Sequence, residues 1–173
     1  MMQTFEISRR TACLALVAVA ATAVTGCGRS PADDAGASDD AAEVGPQAAS
    51  MTVYRDPNCG CCEEWAEVAR EAGYRVSVTD HPALAAITRQ YGVPDALVSC
   101  HTTVVGGYAI EGHVPLEHVR LLLETRPAGI TGIAVAGMPR GSPGMEMPDG
   151  SRDPFEVMAF DRAGRATRFE VQG

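Results

Sequence analysis

The chain contains no lysine: all 14 of its basic residues are arginine, set against 22 acidic ones for a formal net charge of -8. Arginines scattered among acids cannot supply the clustered positive face that a phosphate backbone requires, which excludes nucleic acid as a partner. Also missing is an apolar run of membrane-spanning length. The small and apolar residues over 11–24 fall short of the about 20 that a spanning helix needs. No internal repeat recurs along the 173 residues, so a repeat architecture is excluded. Between Gly28 and Ser50 there is no aromatic residue and hardly any large apolar one, a composition that cannot bury enough surface to order itself.

What is present suits one globular domain with tails. Hydrophobic residues make up 46% and charged residues 21%, enough for a core of ordinary size once the ends are set aside. Residues 1–26 place Arg9-Arg10 before the short apolar stretch, the pattern of an export signal. That segment closes on Val24-Thr25-Gly26-Cys27, which resembles the lipobox of bacterial lipoproteins, where the cysteine is acylated and becomes the new N-terminus. The expected division is a signal peptide with lipobox over 1–26, a lipidated Cys27 with a disordered acidic linker over 27–50, and a single folded domain over 51–173. The expected location is the periplasmic face of a membrane, contacted through the N-terminal lipid only.

The element order supports that domain assignment. A strand over 51–55 leads through Asp56-Pro57-Asn58 into a cysteine-rich turn, and a helix over 62–72 closes at Gly73. Its residues Trp65, Val68, Ala69 and Ala72 recur at helical spacing and are expected to face inward. A strand over 74–79 and a helix over 83–91 ending at Gly92 follow. A third strand over 97–105 turns at Gly106-Gly107, a two-residue hairpin signal, into a fourth from Tyr108. Pro115 opens an amphipathic helix over 116–125. The result is βαβαββα, an α/β thioredoxin-like order. Beyond it come a long Gly- and Pro-rich loop over 129–150 and a closing hairpin, 155–160 with 166–171.

Of six cysteines, Cys13 leaves with the signal and Cys27 goes to lipid. Cys59, Cys61, Cys62 and Cys100 remain, in a compartment that permits disulfides. Three cysteines within four positions cannot all pair with one another, so at least one has another use. Cys59 and Cys62 have the C-x-x-C spacing of thiol oxidoreductases at a helix start, where the helix N-terminus favours thiolate. Thiolate is both nucleophile and metal ligand, so the spacing alone does not choose between the two chemistries.

Three features favour metal. Cys61 is a thiol that a dithiol exchanger does not need. His101, beside Cys100, stands about where thioredoxin-like enzymes carry a cis-proline against the active-site cysteines. His113, Met138 and Met145 add further soft donors, with Met147 in the same loop. Thiolate and thioether select Cu(I), and imidazole suits copper and zinc alike, so copper is favoured and a structural zinc site ranks last. Each residue also has a plain reading: Cys100 as a small buried hydrophobe, His101 as a satisfied core histidine, His113 as a cap or packing group, the methionines as loop packing. Trp65 reads as core, and His81 and His118 as surface positions.

Together, Cys59-Gly-Cys-Cys, Ser99-Cys-His-Thr, Glu111-Gly-His-Val-Pro and Gly137-Met-Pro-Arg-Gly-Ser-Pro-Gly-Met resemble the signature of the CopG-like family, bacterial periplasmic metal-binding proteins associated with copper resistance. The resemblance runs from about Thr52 to Phe160. It implies a thioredoxin-like fold, a copper site on the Cys-x-Cys-Cys cysteines and Cys100, and a role in interconverting Cu(I) and Cu(II). Copper ions and other periplasmic copper-handling proteins are the partners it implies. The alternative from a different class is a thioredoxin-like thiol-disulfide oxidoreductase with Cys59 as nucleophile and Cys62 as resolving thiol.

Overall fold

The computed structural model describes residues 49–170. The signal peptide, the lipobox with Cys27, and the linker up to residue 48 lie outside the described residues. Ser50, assigned with the linker by composition, already belongs to the first strand, and Ala49 packs on the core.

The elements run β1 (Ser50–Arg55), α1 (Gly60–Glu71), β2 (Arg75–Asp80), α2 (Leu84–Gln90), a 3-10 turn (Asp95–Leu97), β3 (His101–Val105), β4 (Tyr108–Glu111), α3 (Leu116–Thr125), β5 (Gly132–Ala134), β6 (Met158–Phe160) and β7 (Ala166–Arg168). All seven strands form one sheet in the order β2-β1-β3-β4-β5-β6-β7. β1 lies parallel to β2 and antiparallel to β3, and β3 and β4 form a hairpin. That arrangement is the thioredoxin-like βαβαββα order, as expected. Among the described residues no helix is long and apolar enough to cross a membrane.

Several local outcomes differ from the sequence reading, each for a physical reason. The β3–β4 turn is the expected Gly106-Gly107, both at positive φ (57° and 87°), the backbone that a tight primed hairpin turn requires and that glycine adopts without penalty. The third strand, however, starts at His101 and not at Leu97, because residues 95–97 wind into a 3-10 turn. α1 starts two residues early, at Gly60. Its buried face is Cys62, Trp65, Ala66 and Ala69: the expected Trp65 and Ala69 are buried, whereas Val68 is only partly buried and Ala72 is exposed. The loop after α3 hides a strand too short to be seen as a pattern: β5 runs parallel to β4 and antiparallel to β6. The expected closing hairpin is present as β6 and β7, and together with β5 it continues the sheet beyond β4.

Alternation along the strands sends side chains to opposite faces. Val105, Ile110 and Ile133 join Trp65, Ala66, Ala69, Val119 and Leu122 in the main core, beneath α1 and α3. Ala109, Ala134 and Phe160 join Val93 and Leu97 in a smaller cluster on the other face. Trp65 is fully buried, and its indole N–H donates to the Val114 carbonyl at 3.0 Å, the partner that a buried tryptophan needs. His118, expected at the surface, is half-buried and packs against Phe169 with ring centroids 6.3 Å apart.

Candidate metal centre

The turn after β1 sets the first group of sulfurs. Asp56 accepts the Asn58 N–H on its carboxylate (2.8 Å) and the Cys59 N–H on its carbonyl (3.0 Å), so the chain reverses at once into the helix. Arg55 holds the Cys59 carbonyl at 2.9 Å and pairs with Glu63 and Asp80. Cys59 occupies the N-cap of α1, with no side-chain cap bond of its own. Cys61 and Cys62 fall in the first turn of α1, where unpaired backbone N–H groups face them.

Cys59 and Cys62 form a disulfide, their Cα atoms 5.4 Å apart. Cys61 is free, with its Sγ 3.6 Å from that of Cys59. Cys62 is fully buried, its Sγ 3.4 Å from the Cys100 carbonyl, an acceptor ready for its thiol once the disulfide is reduced.

The second group comes from the segment entering β3 and from the residues after β4. The Cys100 Sγ lies 3.5 Å from His101 Nδ1 and 3.2 Å from His113 Nε2. His101 points to the α1 face, its ring 5.0 Å from that of Trp65 and 5.0 Å edge-on from that of His113. Gly112 makes this approach feasible. At φ +70° it turns the chain between Glu111 and His113, and a Cβ there would meet the Ser99 side chain at 2.5 Å and the Val135 carbonyl at 2.6 Å.

A strap over residues 137–145 closes the site. The Ser99 hydroxyl donates to the Gly137 carbonyl, and Ser142 is fully buried with its hydroxyl on the Pro139 carbonyl at 2.7 Å. Gly144 lies so close to the first turns of α1 that a Cβ would sit 2.5 Å from the Trp65 backbone nitrogen. The strap presents the Pro143 carbonyl to His113 Nδ1 at 2.8 Å. Only a protonated Nδ1 satisfies that carbonyl, which leaves the Nε2 lone pair facing Cys100, the same orienting contact that carbonyls supply to metal-binding imidazoles.

Electrostatics keep Cys100, His101 and His113 uncharged without a metal. Burial, with His113 alongside, pushes His101 down to about 3. Burial also lowers His113, against the opposing pull of the Pro143 carbonyl and Glu146. Both rings are therefore neutral at pH 7 and able to ligate. Burial pushes the Cys100 thiol up to about 12, with Cys61 adding to the rise, so a cation entering here must displace a proton. His101 Nε2 is buried without a hydrogen-bond partner among the described residues.

Two sets of donor atoms result, each lying within 4.8 Å: Cys59, Cys61, Cys62 and Cys100, and Cys100, His101 and His113. Cys100 belongs to both. Thiolates and neutral imidazoles converging at this spacing fit a soft metal ion. The methionines stand differently. Met138 is 55% exposed and lines a cavity of about 530 Å³ with Pro139, Phe155 and Met158. Met145 is half-buried, and its backbone bonds to Gly141 and Ser142 close the strap. Sequence reasoning passed over Glu111, Pro143 and the contact of the Trp65 ring with His101. Only Glu111 left a signal, as an acid ending an otherwise apolar strand.

The fold and this arrangement define a thioredoxin-like domain with a cysteine-histidine cluster in place of a simple dithiol. A family model described as "Protein of unknown function, DUF411" matches residues 97–145, from the 3-10 turn through the end of the strap. Two solved structures, "Copper resistance protein copG- Form 1" and "Copper resistance protein copG- Form 2", are 39% and 38% identical to the chain, each with a TM-score of 0.65. The alignments cover 69% of this chain and 93% and 94% of theirs. The chain belongs to the CopG copper resistance protein family. No curated protein matches it.

Proposed function

We propose that this protein is a periplasm-facing, lipid-anchored copper-binding protein of copper resistance. It takes up Cu(I), as one or several ions, on Cys59, Cys61, Cys62 and Cys100, with His101 and His113 as nearby donors. The observation that carries the reading is Cys100, whose single Sγ belongs to both donor sets. Copper resistance in the family members of known structure supports copper over zinc. So does the predominance of sulfur among the donors.

The Cys59–Cys62 disulfide couples metal load to redox state. In the oxidised form two of the four sulfurs are bonded to each other and give up their ligand role. Two-electron reduction restores both thiolates and with them the full soft-donor set. In the opposite direction the two thiolates deliver one electron each as the S–S bond forms, which balances reduction of two Cu(II) to two Cu(I). Cys27 anchors the protein through its lipid, and Met138 and Met145 serve as weaker auxiliary donors during loading from other periplasmic copper-handling proteins.

Anaerobic titration of the reduced protein with Cu(I) against a competing chelator tests the reading. Uptake no greater than that of a variant with all four cysteines replaced by serine refutes it.

The disulfide also supports a second reading, thiol-disulfide exchange with Cys59 as nucleophile and Cys62 as resolving thiol. That activity survives Cys61→Ser and Cys100→Ser, whereas copper binding does not.

A further inference from the structure

Glu111 ends β4 with its side chain fully buried, a costly position for a carboxylate. It pairs across the hairpin with Thr102. Alternation therefore turns Glu111 and Thr102 to the sheet face opposite the one on which His101 meets Trp65. Glu111 is thus separated from the metal donors by the sheet itself, and it cannot serve as one of them.

Its two oxygens nevertheless grip the chain on either side of the donor pair. One accepts the Ser99 backbone N–H at 2.7 Å, and the other accepts the Thr102 hydroxyl at 2.7 Å. Ser99 and Thr102 flank Cys100-His101. The grip continues outward, because the Ser99 hydroxyl holds the Gly137 carbonyl and the strap beginning there carries the Pro143 carbonyl that orients His113. Residues 98–100 belong to neither a helix nor a strand, so the position of Cys100 depends on such side-chain bonds.

We propose that Glu111 is a positioning residue for the metal centre, a buried carboxylate clamp that fixes Cys100 and His101 from behind the sheet. The proposal rests on the copper reading only for its consequence in binding; the clamp itself can be read without metal.

In the disulfide form Cys61 and Cys100 are free thiols, so iodoacetamide labelling followed by mass spectrometry gives a Cys100-to-Cys61 rate ratio with its own internal reference. Glu111→Leu keeps the approximate volume and removes both acceptors. The expected result is a ratio raised about tenfold and, after reduction, Cu(I) affinity lowered about 10–100-fold, the usual range for loss of an outer-shell partner. Glu111→Gln keeps an oxygen for the Ser99 N–H and offers its amide to the Thr102 hydroxyl, so it restores both readouts to within about threefold of wild type.

A ratio unchanged in Glu111→Leu overturns the proposal, as does a Glu111→Gln protein perturbed as much as Glu111→Leu. If Glu111→Leu does not fold, Thr102→Val carries the test, with an unchanged ratio again decisive against the clamp. A wild type that binds no Cu(I), together with a raised ratio in Glu111→Leu, removes the copper reading and supports the clamp.

Discussion

Gly144→Ala is the substitution through which the strap can be tested most directly. Gly144 has φ +77°, and a Cβ built there meets the Trp65 backbone nitrogen at 2.5 Å and Cα at 2.9 Å, where an ordinary contact begins at 3.4 Å. The obstacle is helix backbone, which cannot rotate away, so the strap must retreat by roughly 1 Å. Two costs follow. Left-handed backbone in a non-glycine residue costs about 1–2 kcal/mol, and the forced repacking adds about 1–3 kcal/mol. A retreat of that size also carries the neighbouring Pro143 carbonyl, now 2.8 Å from His113 Nδ1, beyond hydrogen-bonding range. His113 then loses the contact that fixes its tautomer, and Cu(I) affinity falls by about 10-fold or more.

Gly150→Ala supplies the control. It has φ +72° with nothing within 4 Å of a Cβ, so it bears only the backbone cost. Urea unfolding and Cu(I) competition titrations on both variants separate the terms. If Gly144→Ala is no less stable than Gly150→Ala and binds Cu(I) equally well, the strap does not press on α1 and the argument fails.

Other outcomes follow from the same geometry. Cys100→Ser is expected to lower Cu(I) uptake further than either Cys61→Ser or His113→Ala, since Cys100 alone belongs to both donor sets; chelator competition ranks the three. Trp65, the single tryptophan, packs with its ring 5.0 Å from that of His101, so its fluorescence should be quenched as copper is added, and Trp65→Ala should cost about 3–5 kcal/mol of stability in denaturant unfolding.

Stability of the metal-free protein should depend on pH with opposite signs at two residues. His101, held at about 3 against an ordinary 6.5, contributes stability that is full above pH 6.5 and is lost as pH falls towards 3. Glu111, raised mainly by burial from 4.5 to about 7, contributes stability that is full below pH 4.5 and is lost as pH rises through 7. Each changes stability by about 1.4 kcal/mol per pH unit within its window. His101→Gln should therefore weaken the loss below pH 4.5 and Glu111→Gln the loss near pH 7, read as differences from wild type by chemical unfolding. Unfolding curves of both variants parallel to wild type across pH 3–8 contradict these assignments.

The order βαβαββα, the placing of the Cys-x-Cys-Cys cluster at the start of α1 and the Gly106-Gly107 turn were legible in the sequence because each depends on local rules. Hydrophobic period, helix capping and turn stereochemistry act over a few residues. The same locality explains the misses. β5 contains three residues, too few for any period, and exists because β4 and β6 supply its hydrogen bonds. On α1 the expected Trp65 and Ala69 are buried, but Ala66 takes the place of Val68, because helical spacing marks a stripe and the sheet decides which edge of it is covered.

Within the site, sequence alone supplied the candidate donors: three sulfurs at a helix start and a Cys-His pair entering the third strand. Tertiary structure decided their relations. It brought His113 to 3.2 Å from Cys100, set the strap carbonyl that orients it, turned Met138 outward, and placed Glu111 behind the sheet with its oxygens on both flanks of the pair. These contacts join residues 9 to 30 positions apart. Distances of that kind are fixed by sheet register and loop closure, and no local pattern encodes them.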